Sequence, residues 1–232
     1  MADFLGPDAW LAVLLSLRVS FWAVLVSLPL GILVAHALAR WSFPGKQVLN
    51  GLVHLPLVLP PVVTGYLLLV TFGRRGPVGQ FLDTWFGIVL SFRWTGAALA
   101  AAVMAFPLMV RAIRLSIEAV DPRLEAAAST LGAGRAWVFV TVTLPLILPG
   151  IIAGAILAFA KAMGEFGATI TFVSNIPGET RTIPSAIHAL LQAPGGDSAA
   201  ARLVIVALVI AMAALVLAEL VSRRVARRVS GA

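Results

Sequence analysis

The stretch VLNGLVHLPLVLPPVVTGYLLLVTF, residues 48–72, decides the fold class. It is mostly apolar and contains no Asp, Glu, Lys or Arg. A helix of ~20 apolar residues crosses a bilayer whose hydrocarbon core is about 30 Å thick, so this stretch predicts a membrane span. Pro56, Pro60 and Pro61 interrupt it, and each removes a backbone donor. Because lipid cannot satisfy freed backbone groups, we expect this helix to line a pore or to move.

Four further stretches share this length and character, which predicts about five spans. Hydrophobic residues make up 60% of the 232-residue chain and charged residues only 12%, whereas a soluble domain has ~45–50% and ~25%. The predicted fold is therefore all-α, a polytopic membrane protein that forms a single domain over residues 1–232. The predicted spans are residues 10–39, 48–72, 94–113, 137–163 and 203–221.

The positive charge of the chain indicates its orientation and does not point to nucleic-acid binding. The net charge of +7 arises mainly from Lys and Arg at the ends of spans and between them. Ten of these residues lie in 40–47, 111–136 and 222–232, and five lie in the segments of the opposite side. Because basic residues favour the cytoplasmic side, we expect the N-terminus outside and the C-terminus inside.

Two connecting segments are too long to be simple loops. The first is a cytoplasmic loop over residues 114–136, and the second is an outer loop over residues 164–202. Long loops in compact domains are usually functional or disordered, and neither segment has a disordered composition. For the outer loop we predict a gating role and a short helix over residues 184–192.

The chain lacks the residues that would make it a complete pump. Pro44-Gly45-Lys46 is no Walker A motif, since Arg40 and Gln47 stand where Gly and Ser or Thr are required. There is no cysteine, and the three histidines are scattered, so no metal site is expected. Ionisable residues inside the spans are few, although Lys161 and Glu165 have the spacing of an i,i+4 pair. A self-sufficient secondary transporter and a membrane scaffold remain as alternatives.

The cytoplasmic loop contains a helix-forming segment, EAVDPRLEAAASTLGAGRAW, residues 118–137. Asp121 is placed to cap a helix whose first residue is Pro122. The residues that follow favour a helix, and Gly132 or Gly134 can end it in a left-handed conformation. A short amphipathic helix that projects from a membrane domain is suited to a groove in a partner protein.

This segment resembles the EAA loop of ABC importer permeases, which reads Glu-Ala-Ala, three residues, Gly, nine residues, Ile, one residue, Leu-Pro. Ala126 stands at the glutamate position with Glu125 one residue earlier, and Val142 replaces Ile. The resemblance implies a coupling helix that docks on a separate ATP-binding subunit. The implied coupling residues are Glu125, Ala126, Ala127, Ala128, Gly132, Ala133, Leu144 and Pro145.

Other segments resemble the molybdate branch of this family, with sulfate and tungstate permeases as similar relatives. The matching segments are HLPLVLPPVVTGY (54–66), FPLMVRAI (106–113), GEFGAT (164–169) and NIPGETRTIP (175–184). The resemblance implies a type I ABC importer permease in the inner membrane, without enzymatic activity or a cofactor of its own. Its implied partners are a cytoplasmic ATP-binding subunit, a periplasmic or extracellular substrate-binding protein and a second copy of the chain.

Candidates for the translocation path come from the broken second span and the start of the outer loop. Backbone N–H groups at Gly, Thr and broken helices can contact an oxyanion without trapping it. The candidates are Pro60, Pro61, Thr64, Gly65, Gly167 and Thr169. Helix packing is the alternative role of the glycines. Gly150 and Gly154 have GxxxG spacing, for which packing within the chain is favoured over dimerisation.

Overall fold

The computed structural model describes residues 5–230, except for the side chains of Ala218 and residues 221–230. The described part is helical and contains no strand. Its helices are α1 (Pro7–Arg40), α2 (Lys46–Val58), α3 (Pro61–Phe72), α4 (Pro77–Phe86), α5 (Trp94–Ala119), α6 (Pro122–Thr130), α7 (Arg135–Val138), α8 (Leu144–Met163), α9 (Gly167–Val173), α10 (Ile183–Leu191) and α11 (Asp197–Ser230). A π-helical segment, Phe139–Thr143, joins α7 to α8. The C-terminal arginines counted for the orientation lie outside the described side chains.

Helix α5 is the centre of the bundle and packs between α1 and α8. Small residues permit this close packing, and Ala97 and Ala100 are completely buried. On α8, a Cβ added at Gly150 would overlap Ser116, and one added at Gly154 would lie 3.1 Å from the Met109 carbonyl oxygen. The GxxxG pair therefore packs against α5 within the chain, as the sequence favoured.

The fold class is confirmed, but the second predicted span is not one continuous helix. Among the described residues, four helices are long and apolar enough to cross a membrane, and α2 with α3 forms a fifth candidate whose halves are bent by 116°. The bend lies at Leu59 and Pro60, whose backbones are extended. Pro60 and Pro61 both lack the N–H that a continuous helix would use there, so the chain stops α2 and starts α3 in a new direction.

The two ends of α5 define two ends of the molecule. Its 26 residues correspond to a length of about 39 Å at 1.5 Å per residue. The short helix α6 follows the C-terminus of α5, and this region is called the α6 end. Helix α9 packs near the N-terminus of α5, where a Cβ on Gly96 would lie 2.7 Å from Val173 Cγ1. This region is called the α9 end.

The two long predicted loops contain more helix than expected. In the segment 114–136, α5 continues to Ala119, because Arg114 pairs with Glu118 at 2.7 Å and donates to Asn50 Oδ1 at 3.1 Å. The segment 164–202 contains α9, α10 and the start of α11. Helix α10 confirms the short helix predicted at 184–192. Ser16 Oγ on α1 accepts a 2.7 Å hydrogen bond from the Ile183 N–H and so fixes the start of α10.

Candidate functional site

Helix α6 has the two ends that the sequence predicted. Asp121 Oδ1 accepts a 2.9 Å hydrogen bond from the Arg123 N–H, and Pro122 is the first helical residue. At the other end Gly132 has a φ of +88°, which a residue with a Cβ rarely adopts. Gly134 is extended, so the chain leaves α6 at Gly132.

Glu125 connects α6 to two other parts of the bundle. Its carboxylate lies 3.3 Å from Arg40 Nε at the end of α1, and Thr143 Oγ1 donates to it at 2.8 Å from the π-helical segment. Arg40 Nη2 also donates to the Val120 carbonyl at 2.8 Å. The Arg40 and Glu125 side chains are only 18% and 22% exposed, so solvent screens this pair less than a surface pair. These three polar contacts hold α6 and the chain just before it to α1 and to the π-helical segment.

The π-helical segment lies directly before Leu144 and Pro145. Proline lacks an N–H and clashes with the carbonyl four residues earlier, and a π-helical turn accommodates the chain at such a point. Leu144 is half-buried against the core, whereas Pro145 is exposed. The Leu-Pro pair therefore marks where α8 begins beside α6.

The outer face of α6 and the residues after it are exposed and partly apolar. Ala126 and Ala127 are exposed, while Ala128 and Ala133 are half-buried. Leu131 is 89% exposed and Trp137 is 65% exposed. Large exposed apolar residues around a polar helix mark an interaction surface. We call this set, Ala126, Ala127, Leu131 and Trp137, the α6 surface.

At the α9 end, helix α3 crosses helix α9 with little space between their backbones. A Cβ on Gly65 would lie 2.6 Å from the Ala168 carbonyl oxygen and 2.8 Å from Thr171 Cβ. A Cβ on Gly167 would lie 2.7 Å from Pro61 Cβ. Both glycines are thus required for close packing, the alternative that the sequence left open.

The remaining path candidates lie around this crossing. Pro60 and Pro61 are exposed at the bend, and Thr169 is buried. Thr64 is 5% exposed, and its hydroxyl has no hydrogen-bond partner among the described residues. It borders a cavity of about 180 Å³ in the angle between α2 and α3. The Thr64 hydroxyl oxygen is thus buried without a hydrogen-bond partner, at the edge of this cavity.

Glu165 holds the start of α9. Its Oε1 accepts a 3.1 Å hydrogen bond from the Ala168 N–H, and its Oε2 pairs with Lys161 Nζ at 2.9 Å. The pair at i,i+4 spacing is therefore confirmed. The Glu165 side chain is 2% exposed, so its charge depends on these contacts for compensation.

The structure brings the coupling candidates together at the α6 end and the path candidates at the α9 end. The sequence analysis did not predict the contacts made by Arg40, Thr143 and Ser16. Arg40 was considered only as a basic residue that sets orientation and as a mismatch to the Walker A motif, and its partner Glu125 lies 85 positions away. Within residues 5–230 no cluster of potential metal ligands occurs, apart from the undescribed side chains.

Comparison with known proteins gives a consistent result over almost the whole chain. Residues 27–230 match the family model described as "Binding-protein-dependent transport system inner membrane component". The molybdenum transport system permease protein ModB of Escherichia coli K12 is 64% identical over 219 residues, which cover 94% of this chain and 96% of that protein. ModB of Haemophilus influenzae is 55% identical, covering 94% and 95%. The sulfate permease protein CysT of Salmonella typhimurium is 37% identical, covering 81% and 67%.

Solved structures of low sequence identity share the fold. A bacterial alginate ABC transporter chain, solved with a periplasmic protein bound to an alginate pentasaccharide, superposes with a TM-score of 0.75 at 21% identity, covering 96% of this chain and 81% of that chain. A chain of the methionine ABC transporter MetNI superposes with a TM-score of 0.70 at 13% identity, covering 97% of both.

Proposed function

Because this chain belongs to the family of binding-protein-dependent transport system inner membrane components, we propose that it is the membrane-spanning permease subunit of an ATP-driven molybdate importer. The assignment of molybdate as the substrate rests on the 64% identity to a molybdenum permease across 94% of the chain. The sulfate permease is more distant, at 37% identity. Tungstate has the same shape and charge as molybdate and is the substrate hardest to distinguish from it.

The energy for transport comes from a separate ATP-binding subunit that docks on the α6 surface. Leu131 and Trp137 supply exposed apolar contacts for it. The contacts of Glu125 with Arg40 and Thr143 then pass a movement of α6 to α1 and α8. In this proposal ATP binds to the separate subunit, since the sequence of this chain contains no Walker A motif.

The translocation path follows the bend between α2 and α3, with Pro60, Pro61 and Thr64 beside the ion. The unpartnered Thr64 hydroxyl at the edge of the cavity supports this placement, because a movement of α2 against α3 would expose a neutral donor that contacts an oxyanion and still releases it. Gly65 and Gly167 support the path from behind by keeping α3 close to α9, and Thr169 is buried on α9 beside them. The substrate-binding protein docks at the α9 end and supplies tight recognition.

The permease acts as a homodimer with the N-terminus outside and the C-terminus in the cytoplasm. The orientation rests on the ten basic residues against five. The proposal of a dimer is supported by the exposed apolar face of the bend, where Val58 is 81% exposed and Val62 is 57% exposed. Because the native chain has no cysteine, a single V62C variant tests this face directly by disulfide formation between copies.

Uptake of labelled molybdate into proteoliposomes tests the function. The vesicles contain this chain, its ATP-binding subunit and its substrate-binding protein. We expect uptake that needs ATP and both partners, is reduced by tungstate and is unaffected by an excess of sulfate. Equal competition by sulfate would make the chain a general oxyanion or sulfate permease. Uptake without the ATP-binding subunit would instead support a secondary transporter.

A further inference from the structure

A second cavity lies on the side of the bundle, next to the cavity at the bend, with which it shares Leu52, Pro56 and Val103. It is a groove of about 640 Å³ between α1, α2 and α5. Its walls are almost entirely apolar and include Val26, Leu30, Val53, Ala102 and Phe106. None of the coupling or path candidates lines it. Its lining is therefore distinct from the residues to which the transport function was assigned above.

A positive charge lies at one end of this groove. Trp22 and Trp94 form its rim. Arg18 precedes Trp22 by one helical turn, and its guanidinium carbon lies 3.8 Å from the centroid of the Trp94 ring. This cation–π contact orients the guanidinium but does not neutralise its charge. Among the described residues Arg18 has no acidic partner.

The position of Arg18 corresponds to a membrane interface. Arg40 ends α1, and the 22 residues from Arg18 to Arg40 span about 33 Å of helix, close to the hydrocarbon thickness of about 30 Å. Trp94 starts α5 directly after Arg93, and tryptophan is enriched at membrane interfaces. Arg18 is thus placed at the level of lipid headgroups at the α9 end.

The length of the groove matches one leaflet. Its α5 wall extends from Trp94 to Phe106, and these 12 residues correspond to about 18 Å along the helix. Half of the hydrocarbon core is about 15 Å thick. The groove length therefore corresponds to the distance from the headgroup level to near the bilayer centre, and its lining residues Val26 and Leu30 are 69% and 55% exposed on the side of the bundle.

We propose that this groove binds one acyl chain of an anionic phospholipid whose phosphodiester pairs with Arg18. The apolar walls hold the chain, and the planar guanidinium, oriented by Trp94, makes charge-assisted hydrogen bonds to the phosphate. A net anionic headgroup such as phosphatidylglycerol is favoured over phosphatidylcholine, because the latter carries its own cation beside the phosphate. The inference requires only that α1 and α5 span the membrane, so it stands apart from the identity of the transported ion.

Photo-crosslinking with diazirine-labelled lipids tests this proposal. The chain is reconstituted in vesicles with a trace of labelled phosphatidylglycerol or labelled phosphatidylcholine, and labelled peptides are identified by mass spectrometry. We expect residues 22–30 and 98–106 to be labelled about fivefold more by phosphatidylglycerol, the preference that one basic residue near the surface provides. Equal labelling of the native chain by both lipids would overturn the proposal.

Substitutions at Arg18 and Ala102 separate the charge from the groove, with R74Q and L208F as controls. R18Q should abolish the preference for phosphatidylglycerol, whereas R18K should keep part of it and R74Q, which removes an exposed loop cation, should leave it unchanged. A102L should reduce labelling of the groove by both lipids, whereas L208F, which alters an exposed position on α11, should not. Preserved preference in R18Q, or crosslinks from the groove to a second copy of the chain in place of lipid, would contradict the proposal.

Discussion

The two ends of the molecule are held together by different kinds of contact. At the α6 end, Glu125, Arg40 and Thr143 join three chain segments through an ion pair and hydrogen bonds, and Gly132 has open space around it. At the α9 end, α3 and α9 meet through Gly65 and Gly167, where an added Cβ would lie less than 3 Å from its neighbours.

This difference predicts how each end responds to amino-acid substitution. Polar contacts are directional and are lost when one partner is removed, but they leave room for added atoms. Backbone-to-backbone packing survives the loss of a polar group but cannot accept extra volume. We therefore expect the α6 end to be sensitive to deletion of charge and the α9 end to be sensitive to added methyl groups.

The largest effect is expected for Gly65→Val at the α9 end. The added side chain must displace α9, because the Ala168 carbonyl lies 2.6 Å from the Cβ position. Overpacking of this kind costs about 3 kcal/mol, and we expect a lower midpoint of thermal unfolding in detergent and little uptake. Gly51→Val is the matched control, since nothing lies within 4 Å of its Cβ position. If the two variants were equally stable, close packing of α3 against α9 would not make the α9 end sensitive to added volume.

Glu165→Ala tests the limit of this comparison, because the α9 end also contains a polar contact, which joins Glu165 to Lys161 and to the Ala168 N–H. The substitution leaves the Ala168 N–H and Lys161 without their partner, which costs about 2 kcal/mol of unfolding free energy. Glu165→Gln keeps an acceptor for the N–H and should recover part of this loss in the same thermal unfolding assay. If both variants unfold at the native midpoint, Glu165 contributes nothing to the position of α9.

A smaller loss of stability is expected for Gly132→Ala at the α6 end. No neighbour obstructs the new methyl group, so the cost comes only from the positive φ of +88°, about 1 kcal/mol. Because this strain lies at the end of α6, we expect ATP hydrolysis to continue while molybdate uptake falls. Gly134→Ala, at an extended residue without close neighbours, is the control and should transport normally. Normal uptake by Gly132→Ala would argue against a fixed end of α6.

The sequence alone predicted much of the fold, because apolar length and proline position are local signals. The runs of apolar residues indicated about five spans, and Pro60 with Pro61 indicated that the second one is unusual. Their effect was underestimated, since two consecutive prolines produced a 116° bend and not merely a weakened helix. The cap at Asp121 and the end at Gly132 were predictable because they depend on neighbouring residues.

Contacts between distant residues could not be predicted in the same way. Glu125 was predicted as a coupling residue from the family resemblance, but its pairing with Arg40 depends on where α1 ends relative to α6. Likewise, a glycine that contacts an ion and a glycine that permits helix packing look identical in sequence. Only the crossing of α3 and α9 assigns Gly65 and Gly167 to packing.

The number of ATP molecules hydrolysed per molybdate imported, measured in proteoliposomes for Glu125→Gln, tests the central claim most directly. The substitution removes the charge that binds Arg40 but keeps the shape of the side chain, so α6 should still dock while its movement is passed on less completely. The account predicts a several-fold increase in this ratio, with ATP hydrolysis largely retained and uptake reduced. A ratio equal to that of the native chain would contradict the role of the Glu125 contacts in coupling.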